Sequence, residues 1–260
     1  MISYGEIIDN TRRIGAFPWF MKKTLNCLLE RVKQAPGKVL PIGITGLAGS
    51  GKDTAVILPT TFYNVLDLYD KTHITRQPCP GCNLSTMKEI AIHLQMPVRP
   101  FAGPLKEIAQ DIGFTREQVY DPKLKNGVDP FWQITPRQFL QMCGTEMFRK
   151  VWRDDVWVEL ARKNIYKFRD HLTVDTTDTM IVFIPDVRFP NEAEMIKEEG
   201  GIVIRVSRPG TVEMNHASEN QIKTLDVDMD LVNDCKSPEE WTVKFTSELC
   251  RYIDPNVYTD

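Results

Sequence analysis

The sequence predicts an α/β protein built on a doubly wound, mostly parallel sheet flanked by helices. Three observations lead there. Val39–Thr45, apolar and rich in β-branched residues, runs straight into a glycine-rich loop and then a helix-compatible stretch at 53–66. Met180–Ile184 is a continuous apolar run of the kind that forms a parallel strand buried on both faces. Helix-like and strand-like stretches then alternate through 190–199, 201–206, 229–232 and 238–253.

At 260 residues and 42% hydrophobic, the chain can bury one good core with excursions or a small appendage. No apolar stretch approaches the roughly 20 residues of a membrane span, and the first residues lack the basic, apolar, small-residue order of a signal peptide. A cytoplasmic protein without a membrane partner is therefore expected. A formal charge of −3 and a pI of about 5.9 argue against a nucleic-acid-coating surface, yet leave room for a local cationic pocket. Six scattered cysteines without a secretory leader fit a reduced compartment. Cys79 and Cys82, in Cys-Pro-Gly-Cys with His73 and His93 on either side, supply half of a tetrahedral zinc site. A tight loop with free thiols competes with structural Zn2+ there and is favoured, because half the ligands are missing.

The glycine-rich loop, Gly46-Leu-Ala-Gly-Ser-Gly-Lys-Asp-Thr54, meets the phosphate-cradling pattern G-x-x-x-x-G-K-[ST] everywhere but at its last position. Gly46, Gly49 and Gly51, with Ser50 between them, let successive N–H groups turn inward, and the helix that follows offers its unpaired N–H groups and positive dipole end to an anion. Lys52 can then bridge the outer phosphates of a nucleotide as a point charge. Where such loops carry a hydroxyl for Mg2+ stands Asp53, with Thr54 one place on, so both are candidate metal ligands. The alternative without function is a glycine-rich turn with an acid well placed in a helix's first turn.

Residues 18–33 read as a helix, with Pro18 at its first position, Met21, Leu25, Leu28, Leu29 and Val32 on one face, and Pro36-Gly37 as its stop. Residues 1–38 are accordingly a helical extension of a domain spanning 39–260. An irregular insertion at 71–97 surrounds the cysteine pair and holds a short helix near 87–95. The chain rejoins the core with a second strand at 98–102 and a helix from 103 to about 113, in which Lys106 either reaches a phosphate or is solvated. Residues 121–135, with Pro122, Asn126-Gly127 and Pro130, read as a loop and candidate lid, within a substrate and lid region at 114–157.

Thr135-Pro136 starts a helix predicted to run to Lys150, Thr as cap and Pro at the first position. At about 100° per residue, Arg137, Gln141, Thr145 and Arg149 share one face, opposite Phe139, Leu140, Cys143 and Met147. That face is either a solvated surface or, having an excess of donors without interleaved acids, an anion site. At the carboxyl end of the 180–184 strand lie Asp186 and Arg188, where open α/β sheets bind ligands. Asp186 is placed like the acid that holds Mg2+ in phosphate-loop proteins, and Arg188 like a phosphate clamp; a surface ion pair is the plainer reading. Asn233, after the last strand, either contacts a nucleobase or shapes the turn.

These blocks, in order, resemble the deoxynucleoside monophosphate kinases of tailed bacteriophages, within the P-loop kinase superfamily. The resemblance rests on the loop at 46–54 with its Asp, Phe-Ala-Gly-Pro-Leu-Lys at 101–106, and Thr-Pro-Arg-Gln-Phe-Leu-Gln-Met-Cys-Gly-Thr-Glu-Met-Phe-Arg at 135–149 with Trp157 beyond. It continues with Pro-Asp-Val-Arg-Phe-Pro-Asn-Glu-Ala-Glu at 185–194, Arg-Pro-Gly at 208–210, His-Ala-Ser-Glu at 216–219 and Asp-Leu-Val-Asn-Asp at 230–234. The first helix and the 71–97 stretch lie outside it.

The resemblance implies transfer of the γ-phosphoryl group of ATP to a deoxynucleoside 5′-monophosphate, giving a diphosphate and ADP for phage DNA precursor synthesis in the host cytoplasm. It implies that Gly46–Thr54 holds ATP, with Lys52 on the β- and γ-phosphates and Mg2+ near Asp53 or Thr54. Arg137, Gln141 and Arg149 would hold the acceptor phosphate, and Trp157 would face the base or stand behind it. Arg188, fixed by Asp186 or Glu192, would complete the clamp, so that Lys52, Asp53, Arg149 and Arg188 form the catalytic set. A homodimer is left open. Two other readings share the loop. Phosphomevalonate kinases of the animal type also carry Ser-Gly-Lys-Asp and Asp-Val-Arg, and a nucleotide-driven switch needs only the loop, although the guanine-reading N-K-x-D element is absent from this sequence and a switch needs no second anion site.

Overall fold

The structure is a computed structural model that describes residues 2–14, 17–73, 83–121, 123–172, 178–211 and 221–259. Two helices, α1 (Tyr4–Ile14) and α2 (Phe17–Lys33), lead the chain. The apolar stripe of α2 enters the main core: Phe17, Phe20, Met21, Leu25, Leu28 and Val32 pack with residues of the sheet. A 3₁₀ turn at Pro36–Lys38 delivers the chain to β1 (Val39–Thr45), buried at all seven positions.

The single helix expected at 53–66 is broken into α3 (Lys52–Ala55), α4 (Ile57–Thr60) and α5 (Phe62–His73). Thr242, far along the chain, sits at the first break: its hydroxyl accepts from the Leu58 N–H at 2.8 Å and donates to the Ala55 carbonyl at 3.1 Å. Pro59 has no N–H to give to that Ala55 carbonyl, and at the second break the Thr60 and Thr61 hydroxyls bond back to the Val56 and Ile57 carbonyls at 2.8 and 2.6 Å. Next comes α6 (Leu84–His93), capped by Asn83, and the short β2 (Leu94–Gln95).

The second strand expected at 98–102 is absent. Val98 makes a single bridge to Phe183, and a helix has begun by Gly103. Pro97 and Pro100 lack the N–H groups that a ladder needs, so pairing stops where it starts.

The chain divides into two compact units, Met1–Val98 with Ile165–Asp260, and Arg99–Asn164. The second unit is helical: α7 (Gly103–Asp111), α8 (Arg116–Tyr120), α9 (Pro136–Gln141), a π-helix at Met142–Trp152, and the start of α10 (Val156–Leu172). The first unit resumes with β3 (Thr179–Val187), α11 (Pro190–Glu198), β4 (Ile202–Ser207), β5 (Met229–Val232) and α12 (Pro238–Ile253).

Among the described residues the sheet has five strands in the order β2-β3-β1-β4-β5, and every pairing is parallel. The expected doubly wound α/β architecture is therefore what the chain adopts. β1 lies at its centre, between β3 and β4, so the loop that leaves β1 emerges from the most buried part of the sheet. No helix of the described residues is long and apolar enough to cross a membrane.

Candidate active site

Parallel strands expose all their carboxyl ends along one edge, and this edge collects the candidate residues of the first unit. The register pairs Gly43 with Ile184 and, after a shift, Thr45 with Val187. Asp186 therefore stands beside the last residues of β1, at the mouth of the glycine loop. It is half-buried, whereas Arg188, two residues on, is exposed.

The glycine loop is held from both sides. Gly46, at φ 152°, passes so close to β4 that a Cβ there would run into the Val206 carbonyl oxygen. Gly51, at φ 97°, is left-handed, and a Cβ there would strike Asn233 Nδ2 and lie 3.0 Å from Trp241 Nε1. Those two nitrogens are bonded to the loop itself: Asn233 Nδ2 donates to the Ser50 carbonyl at 2.9 Å, and Trp241 Nε1 to the Gly51 carbonyl at 2.8 Å. Asn233, read from the sequence as a base contact or a turn former, is instead a buried brace of the loop. Lys52 Nζ donates to the Leu47 carbonyl at 3.4 Å, a long bond that curls its ammonium back over the loop. Because α3 is a single turn, few peptide dipoles align behind the loop, and the N–H groups themselves carry more of the anion attraction than the sequence suggested. The hydroxyls of Thr45 and Ser50 are wholly buried and have no hydrogen-bond partner among the described residues.

Mg2+ takes hard oxygen ligands, commonly one or two carboxylates beside nucleotide phosphates. Asp53 is exposed, Thr54 half-buried and Asp186 half-buried, and all three present oxygen, so the donor set fits this ion. Cys79 and Cys82, together with the His73 side chain, lie outside the described residues; His93 is paired with Asp178, its Nδ1 2.7 Å from Oδ1. His216–Glu219 also lies outside the described residues.

Glu192, one of the two residues expected to fix Arg188, holds it through the backbone. Its Oε2 accepts from the backbone N–H groups of Arg188 at 2.7 Å and Phe189 at 3.2 Å. It thereby satisfies donors at the start of α11, with Pro190 at the first turn.

In the second unit the start of α9 matches its sequence signature: Thr135 accepts from the Gln138 N–H at 3.1 Å, and the Gln138 side chain accepts from the Thr135 N–H at 2.9 Å. Beyond Gln141 the helical wheel fails, because Met142–Trp152 is a π-helix. With i→i+5 bonding, residues four apart no longer stack one turn above another. Met147, assigned to the core face, is 53% exposed, whereas Arg149, assigned to the polar face, is 7% exposed and donates through Nη1 to the Asp154 carbonyl at 3.1 Å. Gln141 is exposed, Thr145 half-buried, and Arg137 half-buried with its Nε donating to Asn126 Oδ1 at 2.7 Å. Trp157 is buried, its indole N–H donating to the Gly144 carbonyl at 3.0 Å and its ring 5.0 Å from that of Phe148. It offers little open face, which suits a wall better than a stacking platform.

Sequence reading missed Asp129. Its carboxylate accepts from the Phe131 and Trp132 N–H groups at 2.9 and 3.0 Å and from Gln118 Nε2 at 2.9 Å. Those bonds, the Trp132 N–H first, hold its carboxyl below the ordinary range and tie down the 129–132 turn. An Asp followed two residues later by bulky aromatics was the available signal, since such a carboxylate caps its own turn. Lys106 Nζ and Arg116 Cζ lie 4.5 and 5.0 Å from the Tyr120 ring centroid, so the contact of Lys106 shown here is with an aromatic ring.

The family model described as Deoxynucleotide monophosphate kinase matches residues 87–241. A protein of Acanthamoeba polyphaga mimivirus, provisionally named as a deoxynucleotide monophosphate kinase, is 34% identical over 167 residues, covering 60% of this chain and 82% of its own length. The Deoxynucleoside-5′-monophosphate kinase of Escherichia phage T5 is 27% identical over 239 residues, covering 74% of this chain and 88% of its own. A braced glycine loop leaves the centre of a parallel sheet, and with these matches the chain belongs to the deoxynucleotide monophosphate kinase family.

Proposed function

We propose that the protein transfers the γ-phosphoryl group of ATP to deoxynucleoside 5′-monophosphates, giving deoxynucleoside diphosphates and ADP. The observation that carries this reading is the placement of the Lys52-bearing loop and Asp186 on the carboxyl ends of adjacent strands. Phosphoryl transfer asks little covalent chemistry of a protein; it needs alignment and neutralisation of charge on the equatorial oxygens.

In this reading the N–H groups of Gly49 to Thr54 cradle the ATP phosphates, and Lys52 leaves the Leu47 carbonyl for the β- and γ-oxygens. Mg2+ would be held by Asp53, Thr54 or Asp186 together with those phosphates, and supplies charge neutralisation when bound. Arg188, its backbone pinned by Glu192, reaches the transferring phosphoryl group. In the second unit Arg137, Gln141 and Arg149 take the acceptor phosphate, with Trp157 behind the base.

A panel of acceptors with labelled ATP tests the reading. Label should pass to deoxynucleoside monophosphates; label on phosphomevalonate alone, or ATP hydrolysis unaffected by every monophosphate, overturns it.

A further inference from the structure

We infer that Asn233 and Trp241 are positioning residues for the nucleotide phosphates, acting through the orientation of two consecutive peptide groups in the loop. The inference rests on the nucleotide-binding part of the proposed function and not on the acceptor.

The C=O and N–H of one trans peptide unit point in opposite directions. The Ser50 carbonyl shares its peptide unit with the Gly51 N–H, and the Gly51 carbonyl shares its unit with the Lys52 N–H. When Asn233 Nδ2 takes the first carbonyl at 2.9 Å and Trp241 Nε1 takes the second at 2.8 Å, the Gly51 and Lys52 N–H groups are turned the other way. These are the donors through which a phosphate loop meets its anion. Gly51 flanks both units and has no Cβ to oppose a flip; its carbonyl also accepts from the Ala55 N–H at 2.9 Å, so Trp241 reinforces an orientation that the helix start shares, while Asn233 holds the Ser50 unit.

The braces are themselves rigid. Asn233 is 3% exposed and its backbone N–H is bonded to the Ser207 carbonyl at 2.7 Å, at the end of β4. Trp241 is 1% exposed in the first turns of α12, its ring packed 6.0 Å from Phe245. The next residue, Thr242, holds the Ala55 carbonyl and the Leu58 N–H. The segment from Asn233 to Thr242 thus grips the loop and the turn after it at successive points, from more than 180 residues away in sequence. It touches carbonyls on the side of the loop away from the N–H groups, so its effect on the reaction passes through the backbone.

The test uses the full chain with Asn233→Ala, Asn233→Asp and Trp241→Phe. ADP affinity is measured by calorimetry without acceptor, KM for ATP and for a deoxynucleoside monophosphate in steady state, and Tm alongside. Losing either donor should weaken ADP and raise KM for ATP by about tenfold, leaving the acceptor KM at saturating ATP unchanged. Asn233→Asp should be worse than Asn233→Ala, because an acceptor oxygen then faces the Ser50 carbonyl. ADP affinity within twofold of wild type, with only Tm lowered, overturns the inference and leaves the two side chains as ordinary packing. Should Trp241→Phe fail to fold, the two Asn233 variants decide. A wild-type protein that binds ADP but phosphorylates no deoxynucleotide sinks the acceptor reading, and the ADP measurement still judges this one.

Discussion

Glu192 Oε2 accepts the backbone N–H of Arg188 at 2.7 Å, so the carboxylate fixes where the Arg188 side chain leaves the end of β3. The residue itself is exposed while its root is held. Arg188→Ala should lower kcat about a hundredfold or more with the fold intact, as loss of a transition-state cation does. Glu192→Ala should lower both kcat and stability, the latter by about 1–2 kcal/mol for a lost, part-buried helix cap. Steady-state kinetics and denaturant unfolding of the two variants separate the effects; equal losses of stability would contradict the assignment.

Lys52→Ala should abolish measurable transfer while leaving the circular dichroism spectrum and Tm unchanged. The bond from its ammonium to the Leu47 carbonyl is long, at 3.4 Å, and contributes little to folding. Retained transfer would remove the loop from the reaction.

Asp186, Asp53 and Thr54 compete for the same assignment, and Mg2+ dependence distinguishes them. Asp186→Asn should raise the Mg2+ concentration needed for half-maximal rate more than Thr54→Val does, if the acid at the strand end is the principal protein ligand. The reverse order would move the ion to the loop hydroxyl.

Arg137 and Arg149 should behave differently despite being paired in the sequence pattern. Arg137 is half-buried and bonded to Asn126, and Arg137→Ala should raise the acceptor KM by about tenfold with little change in Tm. Arg149 is buried and bonded to the Asp154 carbonyl, so Arg149→Ala should cost about 1–3 kcal/mol of stability as well. Neither should change ADP affinity measured alone, and a matched fall in ADP binding would remove both from the acceptor site.

The turn at 129–132 should depend on acid. The Asp129 carboxyl is depressed in the fold, chiefly by the Trp132 N–H, so its contribution is present above the ordinary Asp value of 3.8 and is lost as the pH falls through the lower folded value. Amide exchange at Phe131 and Trp132, compared at pH 5 and in stronger acid, should show protection disappearing in the acid sample. In Asp129→Asn that acid-dependent step should be absent; an unchanged step would assign the transition to another group.

The local code was sufficient where a residue's task is set by its neighbours in the chain. Alternating apolar runs and helix signals specify the doubly wound sheet, because a strand buried on both faces must be apolar throughout. The glycine loop, the Thr135 cap and the position of Asp186 at a strand end were legible for the same reason. Tertiary structure decided what depends on distant partners. Thr242 breaks the helix after the loop, two prolines cancel the strand at 98–102, and a π-helix turns Arg149 inward and Met147 outward. Above all, Asn233 and Trp241 reach the loop across more than 180 residues, and no periodicity records a hydrogen bond made at that separation.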